Sequence, residues 1–396
     1  MIKEVVKKII NHTINKPIYV KFCVQTIYQS LNGCLRLWEF TKKEEWKERS
    51  IELFTILNDL QCDDGGFDPG YEYNFGKLHL KGESISSETF ALLVLCKYYK
   101  NFPSDLVKKS CKKGSLWIKN HAFNIKSDEW AIPYGPYNTN EVMVYNGTSF
   151  AAAALGVYLS FFPNEDLEII YKGMNKYLYN AMSVGEIGKF WYYNDQSRSD
   201  LSDHKKNKID YYHQMQQVEV HSESEFLNSN KYQKGIIIEA SKHVADLQDL
   251  EGKVSYYNTK SDIHLWGFCS CASGFILASK IDVNKKEEYI YRARKIYDWI
   301  LKYSWNGNYF YPIISHKNKV LDHRFYVRSD AWIFSSFCLA VINGINPTEY
   351  LNICEKSYQK MKYNNFSGIE NHASNSRKRL SNKVITMLIL VIKKIF

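Results

Sequence analysis

The stretch SFAAAALGVYLSFFPNEDLEIIYKGMNKYL, residues 149–178, places two kinds of helix in succession, and GKFWYYND follows at 188–195. Its first part is rich in small residues, which permit close approach in a crowded layer. Its second part carries Lys and Glu, which suit a solvent-facing helix. The Gly/aromatic segment predicts short extended pieces or turns. Together they predict a hairpin with one inner and one outer helix.

The same unit occurs six times, with apolar residues at helical spacing, as in Leu92, Leu93, Cys96 and Tyr99. Its period of about 50–65 residues is slightly longer than known helical repeats. Six pairs close a ring neatly, so the predicted fold class is all-α, an (α/α)6 toroid with the small-residue helices inside. The main alternative is an open superhelix. The predicted helices are 19–40, 44–60, 87–99, 104–120, 147–161, 164–182, 210–227, 232–250, 262–279, 285–303, 328–342 and 347–361.

The last twenty residues differ from the rest of the chain. Residues 1–376 are expected to form one domain, whereas 377–396, RKRLSNKVITMLILVIKKIF, form a basic and apolar tail. Its apolar run is shorter than the roughly 20 residues that span a bilayer. A docked helix, a peripheral membrane contact and an oligomer contact all fit this composition. The sequence leaves the oligomeric state open.

Net charge and cysteine content limit the expected partners and the expected cellular location of the protein. The net charge of +10 favours anionic partners such as uronic-acid glycans or lipid headgroups. Nucleic acid is not expected, because Lys and Arg are spread along the chain without a nucleic-acid-binding signature. Nine scattered cysteines and an N-terminus unlike a signal peptide predict reduced thiols and a cytoplasmic location, with membrane-peripheral attachment as the alternative.

The sequence predicts neither a metal nor a cofactor. HLWGFCSC brings His264, Cys269 and Cys271 together, but residues five apart lie on opposite sides of a helix, and the chain has no second cysteine-rich half for a zinc site. Phosphate-cradling and dinucleotide-binding glycine motifs and the GxSxG motif do not occur in the sequence. Any chemistry is therefore expected to come from side chains alone.

In such a ring the Gly/aromatic segments gather at one rim, and polar residues that begin inner helices point into one pit. Aromatic side chains, carboxylates and amides together suit a sugar, because the faces of a sugar are apolar and its edges carry hydroxyls. For any one aspartate at these junctions, a helix N-cap is the simpler interpretation. The predicted catalytic residues are Asp210, His213, Asp262, Asp330 and Tyr211, and the predicted substrate-binding residues are Arg328, Trp332, His264, Gln217, Tyr212, Glu88 and Asp64.

The densest of these junctions is IDYYHQMQQVEVH at 209–221. Asp210, His213 and Gln217 are spaced i, i+3 and i+7, which places them on one helical face. A histidine beside a carboxylate can act as general base or acid near neutral pH. The alternative is that His213 only satisfies a buried Asp210.

Segments between residues 146 and 342, including NGTSFAAAALG, GKVSYY, NGNYFYP and YVRSDAWIF, resemble six-hairpin glycosidase-like proteins of bacterial surface-polysaccharide gene sets. Arg328, Ala331 and Trp332 form an Arg-x-x-Ala-Trp arrangement similar to the motif before the last inner helix of unsaturated uronyl hydrolases. The segment around Asp262 departs from that family's pattern. The resemblance implies a toroid and carbohydrate substrates, among families that include hydrolases, lyases and epimerases.

Two other toroid classes, lanthionine and terpenoid cyclases, remain as further alternatives. QCDDGGF at 61–67 looks like a triterpene cyclase repeat, but the aspartate-rich acid motif of those enzymes does not occur. The leading expectation is an enzyme that acts on an anionic, uronate-type glycan. Hydrolysis would use two carboxylates. A lyase or epimerase would use Tyr211, Tyr212 and His213 around C5, with Arg328 neutralising the substrate carboxylate. A glycan- or lipid-binding toroid without catalysis is the alternative.

Overall fold

Twelve α-helices follow one another as six hairpins in the computed structural model, which describes residues 18–20, 22–71, 73–75, 77–79, 84–135, 144–197, 207–224, 230–259 and 261–370. In chain order they are α1 Val24–Thr41, α2 Glu44–Asp59, α3 Phe90–Asn101, α4 Asp105–His121, α5 Tyr145–Phe161, α6 Glu165–Asn180, α7 Tyr211–Ser222, α8 Lys231–Leu247, α9 Leu265–Ala278, α10 Lys286–Tyr303, α11 Val327–Ile342 and α12 Pro347–Tyr363. The tail at 377–396 lies outside the described residues, so its predicted separation from the domain stays a prediction.

The odd-numbered helices form a closed ring. Each of them contacts the next odd-numbered helix along the chain, and α11 contacts α1. Each even-numbered helix packs against the odd-numbered helix that precedes it. In an open superhelix the first and last hairpins would not meet, so the predicted (α/α)6 toroid is confirmed. Within the described ranges, every helix is too short or too polar to cross a membrane.

The two layers differ in burial as the sequence predicted. Every residue of α9 except Trp266 is buried, whereas its partner α10 buries six residues. Glycines stand where inner helices touch. A Cβ on Gly33 of α1 would lie 2.4 Å from the Phe334 ring of α11, and one on Gly274 of α9 would lie 3.0 Å from the Met215 carbonyl oxygen of α7. Small residues therefore set the spacing of the inner ring.

The Gly/aromatic segments contain or adjoin short antiparallel strands, isolated bridges and turns, in agreement with the predicted extended pieces and turns. Four sheets are β2 Tyr73–Phe75 with β3 Lys77–His79, β4 Phe123–Lys126 with β5 Glu129–Ala131, β6 Ser183–Val184 with β7 Lys189–Phe190, and β8 Ile263–His264 with β9 Ile313–Ile314 and β10 Val320–Asp322. The fifth sheet pairs β1 Ile18–Val20 with β11 Gly368–Glu370, which joins the two ends of the described chain.

Strand pairing also explains where helix starts differ from the sequence prediction. α1 begins at Val24 rather than at residue 19, because residues 18–20 pair with β11. α9 begins at Leu265 rather than at residue 262, because Ile263–His264 pair with β9. In front of α3 a 3-10 turn, Ser86–Thr89, carries the chain into the helix.

A largely buried ionic cluster lies where inner helices end, and we call Arg36, Lys97, Glu219 and Glu223 the base cluster. Arg36 of α1 pairs with Glu223 and lies 3.8 Å from the Glu219 carboxylate. Lys97 of α3 lies 3.0 Å from Glu223. Helices α1 and α7 are the first and fourth of six, so they stand opposite each other. The cluster therefore spans the interior at the base end of the ring.

The two carboxylates of the base cluster differ in pKa. Burial raises the pKa of Glu219 to about 7, an effect that Arg36 only partly offsets. Burial acts in the same direction on Glu223, but Lys97 and Arg36 outweigh it and lower the pKa of Glu223 to about 2. Glu223 is therefore the principal anion that compensates two buried cations.

We predict that Glu223→Gln lowers the free energy of unfolding by about 3–5 kcal/mol, because Arg36 and Lys97 lose their shared counter-ion. Urea unfolding at pH 7.5 measures this. Glu219→Gln is the matched control, with an expected loss below about 1 kcal/mol, since Glu219 is already half neutral near pH 7.

The two variants should also differ in pH dependence. A raised pKa means that protonation of Glu219 stabilises the fold, fully below its unfolded pKa of 4.5 and progressively less as the pH rises through about 7. Wild type should therefore lose stability relative to Glu219→Gln between about pH 4.5 and 7, and the difference should level off above about pH 8. Equal losses in both variants at every pH would contradict this assignment.

Candidate active site

At the opposite end of the ring, where the inner helices begin, the side-chain amide of Gln25 connects Arg328 to Glu88. The Oε1 atom of Gln25 accepts hydrogen bonds from Arg328 Nη1 at 3.0 Å and from Trp332 Nε1 at 3.4 Å. Its Nε2 atom donates to Glu88 Oε1 at 2.9 Å. All four side chains are buried. One amide thus fixes the positions of Arg328 and Glu88 at this end, which we call the rim end.

An aspartate–histidine pair begins α7 at the same end. Asp210 is the N-cap, and its Oδ1 accepts a hydrogen bond from the His213 backbone N–H at 3.0 Å. Its Oδ2 lies 2.6 Å from Nδ1 of His213, in contact but not aligned as a hydrogen bond. Asp210 is buried, while the His213 side chain stays 15% exposed. The capping interpretation of Asp210 is therefore correct, and the same carboxylate also contacts the imidazole.

Aromatic rings connect these two groups. The His213 ring lies 5.4 Å from Tyr193 and 5.5 Å from Trp266, between centroids. Trp266 in turn lies 5.1 Å from the Arg328 guanidinium carbon and 6.5 Å from Trp332. We call the connected set the central cluster; its members are Gln25, Glu88, Asp210, His213, Trp266, Arg328 and Trp332.

Tyrosine hydroxyls next to the central cluster stay protonated. Burial of its hydroxyl raises the pKa of Tyr134 to about 12. A hydrogen bond with Ser87 and the charge of Arg328 oppose this rise, whereas the carboxylates of Glu88 and Asp210 add to it. Burial, together with Asp210, raises the pKa of Tyr257 to about 12. These groups can therefore donate hydrogen bonds or protons to a ligand at neutral pH.

The structure brings five predicted site residues together: Glu88, Asp210, His213, Arg328 and Trp332. Two more lie at the same rim end. His264 is partly exposed, and its ring lies 5.2 Å from Tyr256. Asp262 is partly exposed just before β8. Their roles stay predictions.

Asp330 and Tyr211 were expected to face the pit, and this placement was wrong. Asp330 is fully buried and accepts hydrogen bonds from Ser357 Oγ of outer helix α12 at 3.3 Å and from the Phe310 backbone at 3.4 Å. Tyr211 lies 5.9 Å from His243 of outer helix α8. The reason is the helical period. Asp330 lies two positions after the inward-facing Arg328, and Tyr211 lies two positions before the inward-facing His213. Two positions along a helix correspond to a rotation of about 200°, which turns both side chains away from the pit.

Tyr212 and Gln217 are held in contacts between elements. Tyr212 is buried, donates to the Val254 carbonyl at 3.0 Å and stacks on Tyr256. Gln217 accepts a hydrogen bond from Ser149 Oγ at 2.5 Å, which ties α7 to α5 one turn below His213. Both therefore brace the wall of the site rather than line an accessible surface, which corrects their predicted role as ligand contacts.

Asp64 was also predicted to reach a ligand, and it does not join the central cluster. It is exposed in a turn, where its Oδ1 accepts a hydrogen bond from the Gly66 backbone N–H at 3.0 Å. A Cβ on the neighbouring Gly65 would lie 2.1 Å from the Lys113 carbonyl oxygen of outer helix α4. The turn is thus fixed against the outer layer, which explains the run of Asp and Gly residues.

The residues that the predicted list missed include Gln25, Tyr134 and Tyr193. Gln25 stands in the first turn of α1, the position that Arg328 holds in α11. The predicted start of α1 at residue 19 placed it inside the helix and hid that equivalence. Tyr134 and Tyr193 belong to Gly/aromatic segments, where the sequence alone does not tell which ring faces the centre.

No protein-family model and no curated protein match this chain. Solved structures do match, at identities that establish a shared fold. A cellobiose 2-epimerase from Bacillus thermoamylovorans has a TM-score of 0.62 at 12% identity, over 81% of this chain and 87% of that chain. A glycosyl hydrolase of family 88 from Bacteroides vulgatus has a TM-score of 0.58 at 11% identity, over 86% of this chain and 99% of that chain. A polysaccharide lyase has a TM-score of 0.58 at 12% identity, over 88% of this chain and 99% of that chain. The resemblance to six-hairpin glycosidase-like proteins is confirmed at the level of the fold.

We predict that Gln25→Leu lowers the free energy of unfolding by about 3 kcal/mol, because buried Arg328 and Glu88 each lose a hydrogen bond. Gln29→Leu is the matched control one turn along α1. Both amide atoms of Gln29 are buried without a partner in the described structure, so this change should be neutral or stabilising. Chemical denaturation of both variants measures the difference, and equal losses would contradict the bridging role of Gln25.

Proposed function

We propose that this protein is a carbohydrate-active enzyme that acts on an acidic, uronate-type glycan by acid/base chemistry. The observation that carries the proposal is the position of His213, whose Nδ1 contacts Asp210 at the rim end and whose ring is connected to Arg328 through Trp266. The three solved structures described above add support, because they are named as an epimerase, a glycosyl hydrolase and a polysaccharide lyase. Rings that line the site suit the apolar faces of sugars.

Arg328 is the proposed partner of the substrate carboxylate. Its guanidinium is buried, and Gln25 holds one of its nitrogens in place. A planar guanidinium matches a carboxylate bidentately, and a position fixed in advance reduces the entropy lost on binding. In addition, the inner helices begin at this end, and the partial positive charge of helix N-termini favours an anion there.

Proton abstraction from the carbon that bears the carboxylate is the proposed reaction step. When Arg328 neutralises the carboxylate, the neighbouring C5 proton becomes more acidic, and charge that develops on the carboxylate oxygens is stabilised. Asp210 contacts Nδ1 of His213, so Nε2 is the atom left to take the proton. Asp210 then stabilises the imidazolium that forms.

Two outcomes follow from the same step. In elimination, the electron pair of the C5–H bond forms a C4–C5 double bond, the C4–O bond breaks, and the leaving oxygen takes a proton. In epimerisation, a proton returns to C5 from the opposite face. A neutral tyrosine such as Tyr134 is suited to donate that proton, since its hydroxyl stays protonated at neutral pH.

Hydrolysis is the second candidate, and one observation favours it. Besides burial, the Glu88 and Asp210 carboxylates both raise the pKa of Tyr134, so the site holds the two carboxylates that glycoside hydrolysis requires. Glu88 then takes the place that Asp330 was expected to fill. Elimination or epimerisation is preferred, because Asp210 is already engaged as a helix cap and as the partner of His213.

The cellular location is proposed on a separate basis. All nine cysteines are free thiols, and eight of them are buried. Free thiols in this number suit a reducing compartment, so we propose a cytoplasmic protein. Peripheral membrane attachment through residues 377–396 remains the alternative proposal, and vesicle sedimentation of the full chain distinguishes the two.

We predict that His213→Ala lowers turnover by about 10²–10⁴-fold with nearly unchanged affinity, because proton transfer is lost and substrate contacts are kept. The assay uses a panel of uronate oligosaccharides with three readouts: an unsaturated product, new reducing ends, and deuterium uptake at C5 in D2O. His316→Ala, a histidine in the turn between β9 and β10, is the control. Stable His213→Ala protein with full turnover would remove His213 from the mechanism, and binding without turnover in wild type would indicate a non-enzymatic glycan-binding protein.

We predict that Arg328→Lys weakens binding of a uronate ligand by about 1.5–3 kcal/mol, since charge is kept but the second parallel hydrogen bond is lost. Affinity for the corresponding neutral sugar should not change. Calorimetric titration and a melting curve on the same protein sample separate ligand recognition from structure. Equal weakening for neutral and acidic sugars, together with a lower melting temperature, would mean that Arg328 only supports the fold.

A further inference from the structure

A second cation lies next to the central cluster, nearer to the surface. Lys208 is partly exposed, and its Nζ atom is 4.2 Å from the ring centroid of Tyr193 and 4.4 Å from that of Tyr257. The two rings come from the Gly/aromatic segments that close the third and fourth hairpins. A cation over aromatic faces is attracted to the rings and keeps its charge.

The backbone around Lys208 is tied to both of those segments. The Tyr193 N–H donates to the Lys208 carbonyl at 2.7 Å. On the other side, the Asn258 N–H donates to the Ile209 carbonyl at 3.2 Å, and Asn258 Oδ1 accepts from the Ile209 N–H at 3.3 Å. Since Asp210 follows Ile209 directly, these bonds fix the position of Lys208 relative to the aspartate–histidine pair.

The two cations are linked by a row of neighbouring rings, each in contact with the next. From Lys208 the row passes to Tyr193, then to His213 at 5.4 Å, then to Trp266 at 5.5 Å, which lies 5.1 Å from Arg328. His213, the proposed base, is in the middle of this row. A chain of sugars that stacks along the rings would place its reacting residue between the two positive groups.

We infer that the substrate is an oligosaccharide with acidic groups on both sides of the reacting position: Arg328 binds the inner carboxylate and Lys208 binds the outer acidic group. This inference rests on the proposed function and narrows its substrate class. A partly buried site strengthens the attraction relative to open solvent, because the local dielectric constant is lower. The net charge of +10 acts in the same direction at longer range.

The test compares two disaccharide ligands on four proteins by calorimetric titration. One ligand carries a uronate on both sugars, and the other carries a uronate on one sugar and a neutral second sugar. Every protein carries His213→Ala, so that the ligand is not consumed. To this background we add Lys208→Gln, Lys208→Arg or Lys302→Gln. Lys302 is the matched control, because it lies 5.0 Å from the Tyr303 ring on outer helix α10 and is exposed.

Lys208→Gln should weaken binding of the diuronate about tenfold, the effect of losing one hydrogen bond to a charged group, and change binding of the monouronate by less than about twofold. Lys208→Arg, which keeps the charge and the ring contact, should retain diuronate binding to within about threefold, and Lys302→Gln should have no effect. Added salt should weaken diuronate binding more in the protein with Lys208 than in the Gln variant.

Equal diuronate affinity with and without Lys208 overturns the inference, and so does equal weakening for both ligands in the Gln and Arg variants. If the monouronate binds in an Arg328-dependent way while Lys208 has no effect, the proposed function stands and this inference alone fails. If neither acidic ligand binds to any of the proteins, the proposed function and the inference fail together.

Discussion

The contact between α1 and α11 is the constraint on which the rest of the structure depends, because it joins the first hairpin to the last and closes the ring. A Cβ on Gly33 would meet the Phe334 ring at 2.4 Å, so glycine alone permits this approach without a shift. The same seam carries polar bonds along its length. Arg36 donates to the Ser335 carbonyl at 2.8 Å, and Gln25 accepts from Arg328 at 3.0 Å. Closing the ring therefore also brings Gln25 and Arg328 of the site together.

Two charged clusters occupy the two ends of the interior, and aromatic packing separates them. Between the two clusters, the aromatic rings of Tyr28, Phe90, Phe150 and Trp332 pack together. The centroid of each ring lies within 6.4 Å of the centroid of at least one other. Charges in such an interior are costly unless paired, so each cluster is held together by bonds between different helices. The base cluster lies at one end of the interior. The partly exposed His213 and Lys208 lie at the other, the rim end.

The site reuses features that the fold requires anyway. Asp210 starts α7 as its N-cap, and the same carboxylate contacts the His213 imidazole. The parallel arrangement of inner helices places several N-termini at one end, which favours anionic ligands without any dedicated residue. Gly/aromatic segments, needed to return the chain to the inner ring, supply the rings for stacking. The fold alone does not fix a function, because one fold can carry different sites.

The sequence by itself determined the twelve helices, their order and their division into inner and outer layers, because small residues are concentrated in inner helices such as α5, α9 and α11, and Lys and Glu in the outer helices. It also located Glu88, Asp210, His213, Arg328 and Trp332, which begin or precede inner helices. Only the tertiary structure decided which neighbours of these residues face inward. Asp330 and Tyr211 are two positions from inward-facing residues, and a rotation of about 200° turns both toward the outer layer. Gln25 was hidden because residues 18–20 pair with β11, a contact between residues about 350 positions apart that no local pattern reveals.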